Sequence, residues 1–455
     1  MSRLEKLMKN REETQLVLAK VTGYLALLTL ILGDYLFANK YVTLAPSWIA
    51  WLTLALTTVA VATYQLFRAD WQRVFKQIPI ELILLLALMI GGAAWSAYPS
   101  TTVISFSIQI GVTLLALFFV AVFSWRQILK IFATTLRVIV FSSILIELAS
   151  SLAKEFIRTF IPVSMPDLHQ ALNSHSHLFD GGRAPGILGN ANFTAAWAVI
   201  GVITFAIEIF IQKEQRKLAL VSLIGSLAMF VATKSAGMIF ATVAVVLAAI
   251  VSLLAEGKDR QTRHLYYRVA WTVAGIAVFF VLVFRGSVFE ILGKSPDMTH
   301  RSSIWRKVFA LISERPLEGW GFSGVWDPNT KPFENLIVIN GTNYYQAHNT
   351  YLDLWLQLGL VGLGLFLILI VRTFIKTWRL GVHHSNVLYL WPLLLLITQL
   401  VRGITESRLL IQSAMFMLIL FAVKSYDPEE LLEENLKLTK ISQLEKLRIP
   451  STKSR

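Results

Sequence analysis

An all-α polytopic membrane protein with about twelve transmembrane helices is the fold the sequence predicts, and three observations predict it. The 455 residues are 55% hydrophobic and only 15% charged, with a mean hydropathy of +0.60; a soluble chain of this size needs more polar surface. Apolar runs of about twenty residues recur from end to end, each long enough for a hydrocarbon core of roughly 30 Å. These runs do not alternate at period two, which excludes a β-barrel.

The spans lie near residues 16–38, 43–67, 79–97, 101–123, 128–150, 191–211, 218–233, 236–255, 269–285, 351–371, 386–401 and 408–424. The first run exceeds a signal-peptide core of about 7–15 residues and is read as a retained span. Lys and Arg mark one side: Arg3, Lys6, Lys9 and Arg11, then Arg68, Arg73 and Lys76, Arg126 and Lys130, Lys213, Arg216 and Lys217, Lys258, Arg260, Arg263 and Arg268, and Arg372, Lys376 and Arg379. Both termini are therefore expected in the cytoplasm. The loops 151–190 and 286–350 fall on the opposite side; long loops cross regardless of charge. Residues 299–313 within the second are expected to be helical, with Ile304, Val308, Leu311 and Ile312 as an apolar stripe and Pro316 as the stop. Residues 1–424 are read as one transmembrane domain. The tail 425–455 is charged, and its segment DPEELLEENLKL opens with the acidic residues that suit a helix N-terminus.

A formal charge of +14 follows first from topology. The basic residues are not collected on a soluble module, so nucleic acid is not an expected partner. A polyanionic ligand at the membrane surface would also favour such a balance. The absence of cysteine removes disulfides, thiol nucleophiles and thiolate metal sites.

The polar stretch Arg301–Gly364 interrupts the apolar pattern with RSSIW, ERPLEGWGF and AHNTYLDLWLQLGLVGLG. His348 in AHNTYL stands just before an apolar helix. It is read as a general base or an anion donor, against a plain interfacial histidine. Asn349, Tyr351 and Asp353 would orient it or bind sugar hydroxyls. Arg301 offers the bidentate fork that suits phosphate, and Arg306 fits a solvated helix face. In GGRAPGILGNANF, Arg183 sits among glycines where backbone can approach a ligand, with Asn190 and Asn192 beside it; a helix cap explains one of the asparagines. Lys234 in VATKSAGMIF is either a snorkelling helix-end lysine or a cation facing a cavity. Arg402, Glu406 and Arg408 in QLVRGITESRLL are either substrate contacts or a structural ion-pair network. The set His169, His175, His177, Asp180 and His300 is a weak metal candidate without HExxH spacing, and no Asp-x-Asp or Walker motif occurs, so no metal and no cofactor is expected.

The ordered set of RAPGILGNANF, the R-x-x-x-W helix before ERPLEGWGF, AHNTYL and the G-L-V-G that follows resembles the O-antigen ligase and polymerase superfamily, over residues from about 80 to 424. The resemblance implies a GT-C-like glycosyltransferase of the bacterial plasma membrane. Such an enzyme moves a glycan from undecaprenyl diphosphate to a glycan or lipid-linked acceptor on the outer face. Arg183, Arg301 and His348 match the family's functional positions. Lys234 stands where many members carry an arginine, which puts bidentate diphosphate binding there in doubt. Membrane lipids are the remaining expected partner. Ligase, polymerase and protein O-glycosyltransferase stay open, and a transporter of a small anion or glycan-related solute is the alternative of a different class. A transporter should bind near the midplane with broken helices and inverted repeats.

Overall fold

A computed structural model describes residues 3–38, 45–160, 181–283, 301–327, 330–339, 342–384, 386–410 and 412–425. Helices stand at each of the apolar segments: α1 Arg3–Ala38, α2 Ala45–Arg68, a short α3 Trp71–Lys76, α4 Ile80–Gly91, α5 Pro99–Val122, α6 Trp125–Phe160, α7 Ala191–Ile211, α8 Arg216–Thr233, α9 Ala236–Ala255, α10 Arg260–Val283, α11 Arg301–Glu314, α12 Thr350–His383, α13 Leu390–Gly403 and α14 Gln412–Lys424. Among the described residues, 8 are long and apolar enough to cross a membrane, and three shorter apolar helices accompany them. The fold is all-α and polytopic, as the sequence predicts. A minimal ladder of β1 Val338–Ile339 with β2 Thr342–Asn343 decorates the loop after α11. Short α3 was not anticipated; Asp70 starts it by accepting the Arg73 N–H at 3.3 Å.

The core lies where α5, α6, α13 and α14 meet. Phe119 packs on Phe416 and Phe132 on Trp391, both with centroids 5.0 Å apart. Every residue of α14 is buried. A helix apolar all round belongs inside a bundle, and α14 accordingly packs on α5, α1 and α12. Ser413 at its start donates to Asp34 near the end of α1. These helices are therefore antiparallel, so Thr14 and Lys424 lie at the bundle end opposite to Asp34. Deep in the bundle, Arg137 of α6 pairs with Glu208 of α7 and donates to Ser222 at 3.1 Å, so each costly charge finds a partner.

Helix α11 buries Ile304, Val308 and Ile312, which is most of the expected stripe. Its following loop is built into α12. Gly359 breaks α12 with φ 66 and ψ −172. The broken helical bonds are exchanged with the loop: Trp320 and Gly321 N–H donate to the Leu356 and Gln357 carbonyls at 3.0 and 2.9 Å, while Leu360 and Val361 N–H donate to Pro316 and Leu317 at 2.9 and 3.4 Å. The Leu360 and Val361 N–H groups and the Leu356 and Gln357 carbonyls thereby keep partners, as burial requires. This exchange docks the loop on the membrane helix and fixes the height of the residues at the start of α12.

Candidate functional site

The loop before α7 is held from several sides. Gly186 N–H donates to Glu147 Oε1 at 2.7 Å and Ile187 N–H to Ser143 Oγ at 3.3 Å. Thr194 Oγ1 donates to the Pro185 carbonyl, and Ala184 N–H to Ala232 at 3.0 Å. Gly186 has φ 61, and a Cβ there would lie 2.9 Å from Ser143 Oγ; only glycine fits. Arg183 is aimed by this loop. Its Nε donates to the Thr233 carbonyl at 3.0 Å and its Nη2 to Asn192 Oδ1. Asn190 caps α7 through the N–H groups of Asn192 and Phe193. Asn192 reaches the other way: it accepts from Ser235 Oγ at 3.0 Å and donates to Glu406 Oε1 at 3.0 Å. Lys234, in the left-handed region at φ 48, closes α8 and donates to the Gly181 carbonyl.

His348 is set by a second scaffold. Buried Asp353 accepts from Trp326 Nε1 at 2.7 Å and from the Ala347 N–H at 3.3 Å, while Trp305 Nε1 donates to the Ala347 carbonyl at 3.0 Å. Asn349 caps α12 and donates its amide to the Ile404 carbonyl at 3.2 Å. His348, itself left-handed at φ 50, is thereby turned so that Nδ1 lies 3.3 Å from Glu406 Oε2. Arg301 donates to the Thr405 carbonyl at 2.9 Å and lies 3.9 Å from Glu406 Oε1.

Glu406 is thus the hub of the cluster. Burial raises its carboxyl, but the charges of His348, Arg408 and Arg301 and the His348 hydrogen bond outweigh burial and bring it down to about 2. An ionised carboxylate only accepts, so Nδ1 carries the hydrogen and Nε2 is left to accept a proton. Burial lowers Arg183 and Arg301, against the attraction of Glu406; guanidinium stays charged at neutral pH. A depressed carboxyl stabilises the fold fully above the unfolded value of 4.5, and that contribution is lost as pH falls toward about 2. Glu406→Gln should therefore lower the thermal midpoint at pH 7, with the gap to the parent closing on acidification.

Lys234, Arg183, Asn192, Arg301, His348 and Glu406 come together at one end of the bundle. The remaining sequence candidates take other positions. Asn190 and Asn349 spend their side-chain oxygens as helix caps, and Tyr351 turns inward to donate to the Leu400 carbonyl at 3.1 Å. In these geometries the three side chains support the backbone around the site. Arg402 is buried against Phe193. Arg306 is exposed, as a solvated face requires. Gln346, which lies within 3.5 Å of Glu406, and the loop clamps Ser143 and Glu147 were not foreseen. A lone Glu147 in an apolar run was their available signal. The metal candidates His169, His175, His177, Asp180 and His300 lie outside the described residues. Among the described residues no group of three possible ligands forms.

Fold and site define a polytopic helical membrane protein with basic side chains and a His–Glu pair gathered at one end of its bundle. Residues 218–367 match the family described as O-Antigen ligase, a segment that holds Lys234, Arg301 and His348. The chain is also similar to the exopolysaccharide production protein ExoQ of Rhizobium meliloti (strain 1021), with 27% identity over 119 residues. That match covers 25% of this chain and 27% of ExoQ. Apolar helices and family together indicate a protein of the bacterial inner membrane.

Proposed function

We propose that the protein transfers a glycan from undecaprenyl diphosphate to an acceptor hydroxyl at the outer face of the membrane, with inversion and without a metal. The observation that carries this reading is the His348–Glu406 pair, 3.3 Å apart, set among Arg183, Arg301 and Lys234. His348 Nε2 takes the proton of the attacking hydroxyl while Glu406 holds the ring and balances the imidazolium. The hydroxyl oxygen bonds to the anomeric carbon, and the bond from that carbon to the diphosphate oxygen breaks. Attack from the face opposite the diphosphate inverts the centre. Charge that develops on the leaving diphosphate meets fixed cations. A guanidinium has five N–H donors; Arg183 uses two positions on Thr233 and Asn192, which leaves donors for phosphate.

The basic residues Arg68, Lys213, Arg216, Lys258, Arg372 and Lys376 belong to the opposite end of the bundle, which supports placing the site outside and both termini in the cytoplasm. The transporter reading finds less support. The broken helix α12 is filled by the chain's own loop, and the deep charges of Arg137 and Glu208 satisfy each other. Arg183→Ala should lower transfer by roughly 10²–10³-fold, the usual cost of losing one charge-stabilising donor, while extraction and folding match the parent. Parental turnover of an undecaprenyl-diphosphate oligosaccharide by that variant would remove Arg183 from the mechanism.

A further inference from the structure

A polar cavity that the scheme above does not use lies between α5, the start of α14 and the loop after α11. It measures about 30 Å³, the room of about two water molecules. Ser105, Gln109 and Gln412 line it with Ser323 and Gly324, and Ile108, Phe322 and Leu410 give it an apolar wall. Gln109 and Gln412 are only 3% and 2% exposed. Among the described residues the Nε2 of each is a buried donor without an acceptor. Two unmet amide donors at one small cavity are costly unless an occupant accepts from them. The last torsion of a glutamine is soft, so either amide can turn its N–H groups onto a group in the cavity. The cavity is open at Gly324, where an added Cβ would meet nothing within 4 Å.

The frame of this cavity is joined to the frame of His348. Gln357 Oε1 accepts the Ser323 and Gly324 N–H groups at 2.9 and 3.0 Å, and its Nε2 donates to Asp353 Oδ1 at 3.0 Å. Asp353 in turn holds Ala347, next to His348. From the other side, Leu410 follows Glu406 so closely in the chain that their Cα atoms are no more than about 14 Å apart. An oligosaccharide held at His348 reaches across that gap.

We infer that this cavity is a subsite for an acetyl group carried on a sugar of the glycan. The inference rests on the transfer reading above and adds to it a feature of the sugar. An acetyl carbonyl accepts two N–H bonds and donates none, which is what two unmet amides require. Its methyl goes against Ile108, Phe322 and Leu410, where apolar surface leaves water. A hydroxyl would bring a donor of its own. The lining residues carry no charge, so an ionised substituent would be left unpaired. A whole sugar ring exceeds the volume; the ring stays at the mouth and only the substituent enters. An acetamide and an acetate ester present the same carbonyl and methyl.

Microscale thermophoresis of the full chain in detergent tests the subsite. The probes are undecaprenyl-diphosphate oligosaccharides built from glucose, from O-acetylated glucose or from N-acetylglucosamine. The parent should bind at least one acetylated glycan roughly tenfold or more tightly than the glucose one, and the tighter of the two identifies the linkage. Gln109→Leu should bring that affinity down to the glucose level. Gly324→Asn should do the same by closing the mouth, since asparagine tolerates the left-handed backbone there. Thermal midpoints measured alongside show that the variants fold. Equal affinities in the parent would overturn the proposal, as would a preference that survives in both variants. Turnover of all three glycans with equal affinity removes the subsite and leaves the transfer reading standing. A preference without turnover of any of them keeps the subsite and removes the transfer reading.

Discussion

His348→Ala should reduce glycan transfer by about 10²–10⁴-fold, the range that a positioned general base supplies. Its Nδ1 is tied to an ionised Glu406, so alanine removes the proton acceptor and leaves Glu406 Oε2 without the ring N–H. The loss should fall on kcat, because the base acts on the hydroxyl proton only as the new bond forms. Glu406→Gln keeps a group of the same shape and removes the charge that fixes the tautomer, so it should cost less. The double variant should be no worse than His348→Ala alone, since members of one catalytic unit are not additive. Initial rates with saturating donor and acceptor measure both. Additive losses would mean that the two side chains act separately.

Gly359→Ala should abolish the folded protein. Its φ of 66 with ψ −172 is essentially open only to glycine, and an added Cβ would lie 2.0 Å from the Leu317 carbonyl oxygen. Relief of that clash pulls apart the exchange between α12 and the loop, four backbone hydrogen bonds that no other group replaces. Gly319→Ala meets the same interface from the other side, with Gln357 O 2.5 Å away. Gly364, five residues further along α12, has nothing within 4 Å of its Cβ position, and Gly364→Ala should leave the yield intact or raise it slightly. Size-exclusion profiles of detergent extracts separate these outcomes; a monodisperse Gly359→Ala peak of parental height would contradict the account of the break.

Local features were the ones the sequence made legible. Apolar runs located the membrane helices because hydropathy over a span is a local sum. The stripe of α11 showed because helical period places Ile304, Val308 and Ile312 on one face. Asn190 announced its cap by residue type before an apolar run. Glu406 as hub was hidden, because it meets His348 across 58 residues and Asn192 across 214. No periodicity reports such contacts. The motif around Gly319 and Gly359 was visible as glycine-rich chain. Its physical content, a backbone exchange between a loop and a helix, required both partners in space. The backbone partners of Asn349 and Tyr351, the start of α12 and the Leu400 carbonyl, were hidden for a related reason: they are set by the fold and not by residue type.

The most direct test incubates the purified chain with an undecaprenyl-diphosphate oligosaccharide in detergent containing EDTA, and measures free undecaprenyl diphosphate and glycan length. Release of the diphosphate with inversion and a lengthened lipid-linked glycan is the predicted result. No release from folded protein, with lipid-linked or other acceptors supplied, would contradict the account and favour the transporter reading.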